Sequence, residues 1–163
     1  MTKQLAQRAK EIIEKVQYIT LATAAKDGQP WNTPVYAVCD EQHNFLWISW
    51  REATHSKNVR ENNKVFMVIY DSTRRRGDNH QQGVYILAKA YELRDKANVD
   101  HALKYLKGAD GNKLDPSEFL DDSVKRIYRA VPKRVWLNDV SENQVSKETI
   151  KMRIEVPLSE FTA

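Results

Sequence analysis

Three short runs rich in β-branched and aromatic residues follow one another between residues 16 and 50, joined by turns too brief for any crossover. The first is YITLATA, and Lys26-Asp27-Gly28-Gln29-Pro30 after it supplies a turn whose glycine can take positive φ. The second spans Asn32 to Cys39 and ends at the polar turn Asp40-Glu41-Gln42-His43-Asn44; the third follows at once, Phe45 to Trp50. A parallel neighbour needs a dozen or more connecting residues, so these strands form an antiparallel meander. Lys64 to Tyr70 (KVFMVIY) is apolar on both faces. Such a strand is central, and both of its sides must be covered by helices or by another subunit.

The remaining segments group around this sheet. Leu5, Ala9, Ile12, Ile13 and Val16 recur at helical spacing with charges between them, which predicts an amphipathic helix. Ala53 to Asn63 is polar and helix-compatible, with Thr54 as its N-cap, whereas Asp71 to Gln82 holds no apolar side chain and reads as a solvated loop. Gly83 to Leu93 is a fifth strand and Ala97 to Leu106 a helix. Asp115-Pro116-Ser117-Glu118 starts a short helix with a capping box. Arg126 to Asn138 is a strand in which Pro132 must lie at an edge or a bulge, and Thr149 to Val156 is the last strand. About seven strands with three or four helices, grouped rather than alternating, predict an α+β fold built on an antiparallel barrel, with residues 1–163 as one domain. So few helices cannot cover a small barrel, and a homodimer is expected.

Composition removes several function classes. One cysteine in 163 residues, Cys39, excludes an internal disulfide framework and any multiple-cysteine zinc site, and it reads as a small buried hydrophobe at a strand end. The four histidines are scattered, so no metal site is expected. No apolar stretch approaches a membrane span and the first residues lack an apolar signal core, so a soluble, cytoplasmic protein is expected. A formal charge of +4 is too mild to imply nucleic acid without a clustered patch. The one dense basic cluster, Arg74-Arg75-Arg76, sits in the polar loop, as a solvated segment or as a guide for an anionic ligand. Trp31, Trp47, Trp50 and Trp136 are available for packing or for stacking on a ring. Nucleotide-loop and nucleophile-elbow patterns are missing.

The clearest local signal is Ile48-Ser49-Trp50-Arg51-Glu52-Ala53-Thr54-His55-Ser56-Lys57-Asn58. With Thr54 as N-cap, His55, Ser56 and Lys57 fill the first helical turn, where unpaired N–H groups and the helix dipole favour an anion such as a phosphate monoester. Ordinary solvated helix charges account for the same residues, and the local sequence leaves both readings open.

ITLATAAKDGQPWNTPVYAVCDEQHNFLWIS followed by HSKNVRENNKVFMVIY resembles the FMN-binding split-barrel family that includes pyridoxine 5'-phosphate oxidase and general stress protein relatives. The resemblance rests on the strand, Asp27-Gly28-x-Pro30 turn and strand, on a third strand ending in small or polar residues, and on a Ser-Lys helix start with Asn62 or Asn63 before an apolar strand. It covers roughly residues 16 to 93, and Arg126 to Asn138 is similar to the family's late strand. It implies a homodimer with FMN at the subunit interface. Asn32 and Thr33 would approach the flavin ring from the second strand, with Trp47, Ile48 and Ser49 doing so from the third. His55, Ser56 and Lys57 would hold the phosphate, and the other subunit would add residues near Gln82 and Trp136. The implied activity is an FMN-dependent oxidoreductase in which the flavin carries the chemistry, so no catalytic side chain is assigned. The alternatives on the same fold are a non-catalytic flavin- or haem-binding stress-response module and a deazaflavin-dependent reductase. Where the phosphate-acting oxidase carries basic residues near the ends of the second strand, this chain has Asn32 and Ala37, and two residues are inserted between Ser49 and the Ser-Lys pair. Its substrate is therefore not carried over.

Overall fold

The computed structural model describes residues 2–73, 83–142 and 149–163. In chain order these form α1 (Thr2–Lys15), β1 (Tyr18–Ala24), β2 (Pro30–Tyr36), β3 (Val38–Cys39), β4 (Phe45–Trp50), α2 (Thr54–Glu61), β5 (Lys64–Tyr70) and β6 (Gly83–Glu92). They continue as α3 (Lys96–Ala102), a 3-10 turn at Pro116–Phe119, β7 (Lys125–Glu142), β8 (Thr149–Val156) and α4 (Leu158–Phe161). All strand pairs are antiparallel, in the order β2-β1-β5-β6-β7-β4-β3, with β8 also pairing β7. The sheet curls until β2 touches β4, although four strands lie between them in the sheet. The fold is an α+β split barrel.

Alternation explains which side chains enter the barrel. Ile19 and Leu21 of β1, Val65, Met67 and Ile69 of β5, Val84 and Ile86 of β6, and Val135 and Leu137 of β7 all point inward and are buried. Leu5, Ala6, Ala9 and Ile12, one face of α1, close this core together with Phe161 of α4. A second cluster lies on the other side of β4 and β7, where Leu46 and Ile127 pack with Val99, Ala102, Leu106 and Phe119. The outward row of the main sheet is apolar too. Tyr18 and Tyr36 meet edge to face at 5.9 Å, and Phe66, Val68, Tyr85, Leu87 and Trp136 continue the row as exposed or half-buried side chains. The double-faced character expected of KVFMVIY is realised in this way.

The β1–β2 turn places Gly28 at φ 91°, a conformation in which a Cβ would be strained. In the β6–β7 ladder, Leu87 opposes Arg134 while Ala88 opposes Pro132, so Lys133 is the extra residue of a bulge. The proline, which lacks a donor, thus sits at the expected irregularity. The capping box at Asp115 is also present: Asp115 Oδ1 accepts from Ser117 N at 2.8 Å, and Glu118 Oε1 accepts from Asp115 N at 3.3 Å.

Three elements differ from the sequence expectation. The second strand is not continuous: β2 pairs β1 at one edge of the sheet, and β3 pairs β4 at the other. Ala37, whose N–H donates to Gln17 O at 3.3 Å, is the point where the chain passes between the edges and closes the barrel. The second helix begins one residue early, so its N-cap is Ala53 rather than Thr54. The third helix stops at Ala102, after an Asp95 cap that accepts from Asn98 N at 2.9 Å. Cys39 is partly buried against the core, and burial beside Asp40 and Glu14 pushes its thiol up to about 12, as fits a packing residue. Arg74–Arg76 and the rest of the 74–82 stretch lie outside the described residues.

Leu21 is fully buried at the centre of the inward row. Leu21→Ala should lower the unfolding free energy by about 2–5 kcal/mol in urea titration. A loss below about 0.5 kcal/mol would mean that this face is not the core.

Candidate functional site at the start of α2

The β4–α2 connection is held from both ends. Arg51 N donates to Val124 O at 2.8 Å, Ala53 N donates to Trp50 O at 3.2 Å, and Lys57 N donates to Ala53 O at 3.0 Å as the first bond of the helix. The N–H groups of Thr54, His55 and Ser56 precede that bond and have no acceptor within the helix. Alanine at the N-cap brings no side-chain acceptor either. The positive end of α2 is therefore uncapped.

Polar side chains fasten this helix to the strands beneath it. Ser49 Oγ and His55 Nε2 lie 2.7 Å apart and form a hydrogen bond across the turn. Burial of the ring pushes the His55 pKa below its ordinary value, so the imidazole is neutral at physiological pH. Asn58 Nδ2 donates to Thr23 Oγ1 at 3.0 Å, and Thr23 Oγ1 donates to Trp31 O at 3.4 Å, which links α2 through β1 to β2. Ser56 is fully buried. Its Oγ has no hydrogen-bond partner, and burial pushes the nearby Tyr128 phenol above its ordinary pKa. Lys57 Nζ is exposed and lies 3.2 Å from Glu52 Oε2, also exposed.

The sequence-assigned residues distribute unevenly around this start. Ser49 and His55 are in contact, with Ser56 and Lys57 following on the helix. Thr33 shares the inner face of β2 with Val35, whereas Asn32 shares the outer face with Ala22. Trp47 is fully buried and stacks on Tyr128 at 5.5 Å, and Ile48 turns the opposite way, into the second cluster. The Trp47 indole is closed to solvent, whereas Ile48 is half-buried. Trp136 lies on the outer face, 6.3 Å from Phe66 and under the Arg134 guanidinium at 4.7 Å, so within one chain it does not join the α2 start. Gln82 lies outside the described residues.

Thr23, Asn58 and Tyr128 were not singled out from sequence. The signal available was slight: a threonine in register with inward Ile19 and Leu21, and an asparagine within a helix whose other residues look solvated. Among the described residues, no group of three or more His, Cys, Asp or Glu side chains is arranged to hold a metal ion.

Comparison with known proteins agrees with the split-barrel fold. The family model for pyridoxamine 5'-phosphate oxidase matches residues 5–131. The chain belongs to the pyridoxamine 5'-phosphate oxidase family. No sequence among the curated proteins matches it. Among solved structures, the heme binding protein from Mycobacterium smegmatis is similar in fold, with a TM-score of 0.67 at 14% identity, over 97% of this chain and 60% of that one. A protein related to general stress protein 26, from Clostridium acetobutylicum, gives a TM-score of 0.60 at 15% identity, over 93% and 96% of the two chains. HutZ, the heme storage protein from Vibrio cholerae, gives 0.59 at 17% identity, over 80% and 92%. At such identities the likeness is one of fold. This family member contains no helix, among its described residues, long and apolar enough to cross a membrane.

His43 shares the behaviour of His55, its pKa lowered by burial and by Lys10. A histidine that titrates lower in the native state than its usual 6.5 leaves the unfolded chain binding more protons in acid. Stability should therefore be complete above pH about 6.5 and fall as pH drops below it through the native values. Urea midpoints between pH 8 and 5 test this, and His55→Gln should flatten part of the slope. A stability that rises toward pH 5 would contradict the neutral, buried imidazoles.

Proposed function

We propose that the chain, as one domain over residues 1–163, is a cytoplasmic FMN-binding flavoprotein that works as a homodimer with the cofactor at the subunit interface. Its proposed activity is that of an FMN-dependent oxidoreductase. The observation that carries the reading is the uncapped start of α2, where the N–H groups of exposed Thr54 and half-buried His55 lie without a helical acceptor at the positive end of the helix. Ser49 and His55 border it, and Lys57 can bring a full positive charge. A phosphate dianion would compete with Glu52 for Lys57, and an exposed pair of this kind holds with only about 0–1 kcal/mol.

The residues of the chain would divide the work by position. Thr54 and His55 would bind phosphate through their backbone N–H groups and Lys57 through its ammonium, with buried Ser56 supporting the turn from beneath. Thr33, and Asn32 at the strand edge, would orient the ring system from β2. Ser49 would do so through its side chain, and Trp47 and Ile48 through their backbone. His55, already hydrogen-bonded to Ser49, would hold its ring against the strand and leave its backbone N–H for the phosphate. Bound FMN would supply hydride or electron transfer, leaving orientation, electrostatics and exclusion of water to the protein. The outward apolar row from Tyr18 to Trp136 supports the dimer, because a second copy would cover it and bring its Trp136 and Gln82 toward this chain's site.

A visible spectrum before and after adding FMN, with unbound ligand removed by size exclusion, tests the assignment directly. Flavin bands should travel with a dimer. A Soret band in their place would shift the chain to the haem-binding alternative, and a colourless dimer that ignores FMN would overturn the flavin assignment. The cradle has its own test in Ala53→Asp. An aspartate at this N-cap should stabilise the fold by about 0.5–2 kcal/mol while occupying the phosphate donors with a like charge. FMN binding should weaken by roughly tenfold or more, about 1.4 kcal/mol, and riboflavin binding should not. Undiminished FMN affinity would place the phosphate elsewhere. Leu87→Glu, a charge in the middle of the outward row, should give monomers in analytical ultracentrifugation.

A further inference from the structure

At the far end of α2 a buried carboxylate gathers charges that the binding reading does not use. Glu92 closes β6 with its side chain only 5% exposed. Its Oε2 accepts from Arg60 Nη1 and from the Tyr128 hydroxyl, each at 3.4 Å. Its Oε1 lies 3.3 Å from Arg94 Nε and 3.6 Å from Arg126 Nε. A buried ionic cluster is an inefficient source of stability, because desolvation offsets most of the attraction. What such a cluster does well is hold groups at fixed distances and angles.

The group it holds here is the turn that carries the candidate cradle. Arg60 Nη1 also donates to Arg51 O at 2.6 Å, and Arg60 Nη2 lies 3.8 Å from Glu52 Oε1. One guanidinium thus joins β6, the last turn of α2 and the connection that enters α2. From this geometry we propose that Arg60, anchored by Glu92, is a positioning residue that sets the α2 start for a phosphate monoester. Neither side chain touches the ligand. Both bonds leave Nη1, while Nη2 of the same rigid plane lies toward Glu52, so the guanidinium fixes three points that a shorter, freely rotating lysine ammonium would not hold together. If the turn relaxes, the N–H groups of Thr54 and His55 move with it, and donors misplaced by about 1 Å lose most of their value.

This inference rests on the FMN reading, and its test separates the two. Dissociation constants for FMN and riboflavin are measured on the full-length wild type, Arg60→Lys and Glu92→Gln, with thermal melts to confirm folding. Positioning predicts that both variants lose roughly tenfold in FMN affinity while riboflavin affinity holds, so that preference for the phosphorylated ligand collapses. A charge effect predicts something else. Arg60→Lys would then be silent, and Glu92→Gln, one negative charge fewer, would bind FMN more tightly. Either result overturns the proposal, as does equal weakening toward both flavins, which marks a merely structural role. Should Glu92→Gln fail to fold, Arg60→Lys decides alone, since Arg60 is only partly buried. A wild type that binds riboflavin and FMN equally, or neither, refutes the phosphate cradle and the positioning role together; a wild type that prefers FMN beside unaffected variants refutes only the latter.

Discussion

A sheet that is apolar on both faces is the constraint on which the rest of this structure depends. The inward row is buried beneath α1, each large side chain contributing about 1.5–3 kcal/mol. Because side chains alternate along a strand, a slip of one residue would exchange the two rows. Register is therefore held tightly where it matters. β1 is paired along its whole length with β2, and β5 with β6 from Lys64 to Tyr70. The bulge at Lys133 absorbs the one proline that would break the β6–β7 ladder, which returns Val135 and Leu137 to the interior.

Curling this sheet creates the site. Its two ends, β2 and the β3–β4 pair, come together because the chain crosses between them at Ala37, and α2 packs beside this closure on β1, β2 and β6. The apolar interior gives way there to polar ties: Thr23 with Asn58, and Ser49 with His55. Each satisfies a polar group that burial would otherwise leave costly. Together with the Arg60 to Glu92 contact they fasten both ends of α2, so that its start is exposed but not loose.

Much of this was legible from local chemistry. The strand runs, the glycine turn at Gly28, the capping box at Asp115 and the irregularity demanded by Pro132 all follow from properties of single residues or neighbours. The family resemblance covered the central strands. What local chemistry did not show was which neighbour each strand takes. The segment from Asn32 to Cys39 has the composition of one strand, and its division at Ala37 arises only because the two halves pair with opposite edges. Similarly Thr54 is a better N-cap than Ala53 by propensity, but the bonds of Arg51 and Ala53 to Val124 and Trp50 wind the turn one residue sooner. Trp47 and Ile48 looked equivalent as ring neighbours, yet alternation sends them into different cores.

By itself the sequence determined the antiparallel pairing, the double-faced central strand, the absence of a disulfide framework and the residues that gather near the start of α2, because turn length, alternation and residue type act locally. Tertiary structure alone decided that the barrel closes at Ala37, that the helix start is left without a cap, and that Arg60, Glu92, Arg126 and Tyr128, scattered from residue 60 to residue 128, share one buried site. Those features depend on distances between segments far apart in the chain, and such distances are set only when the whole sheet has curled.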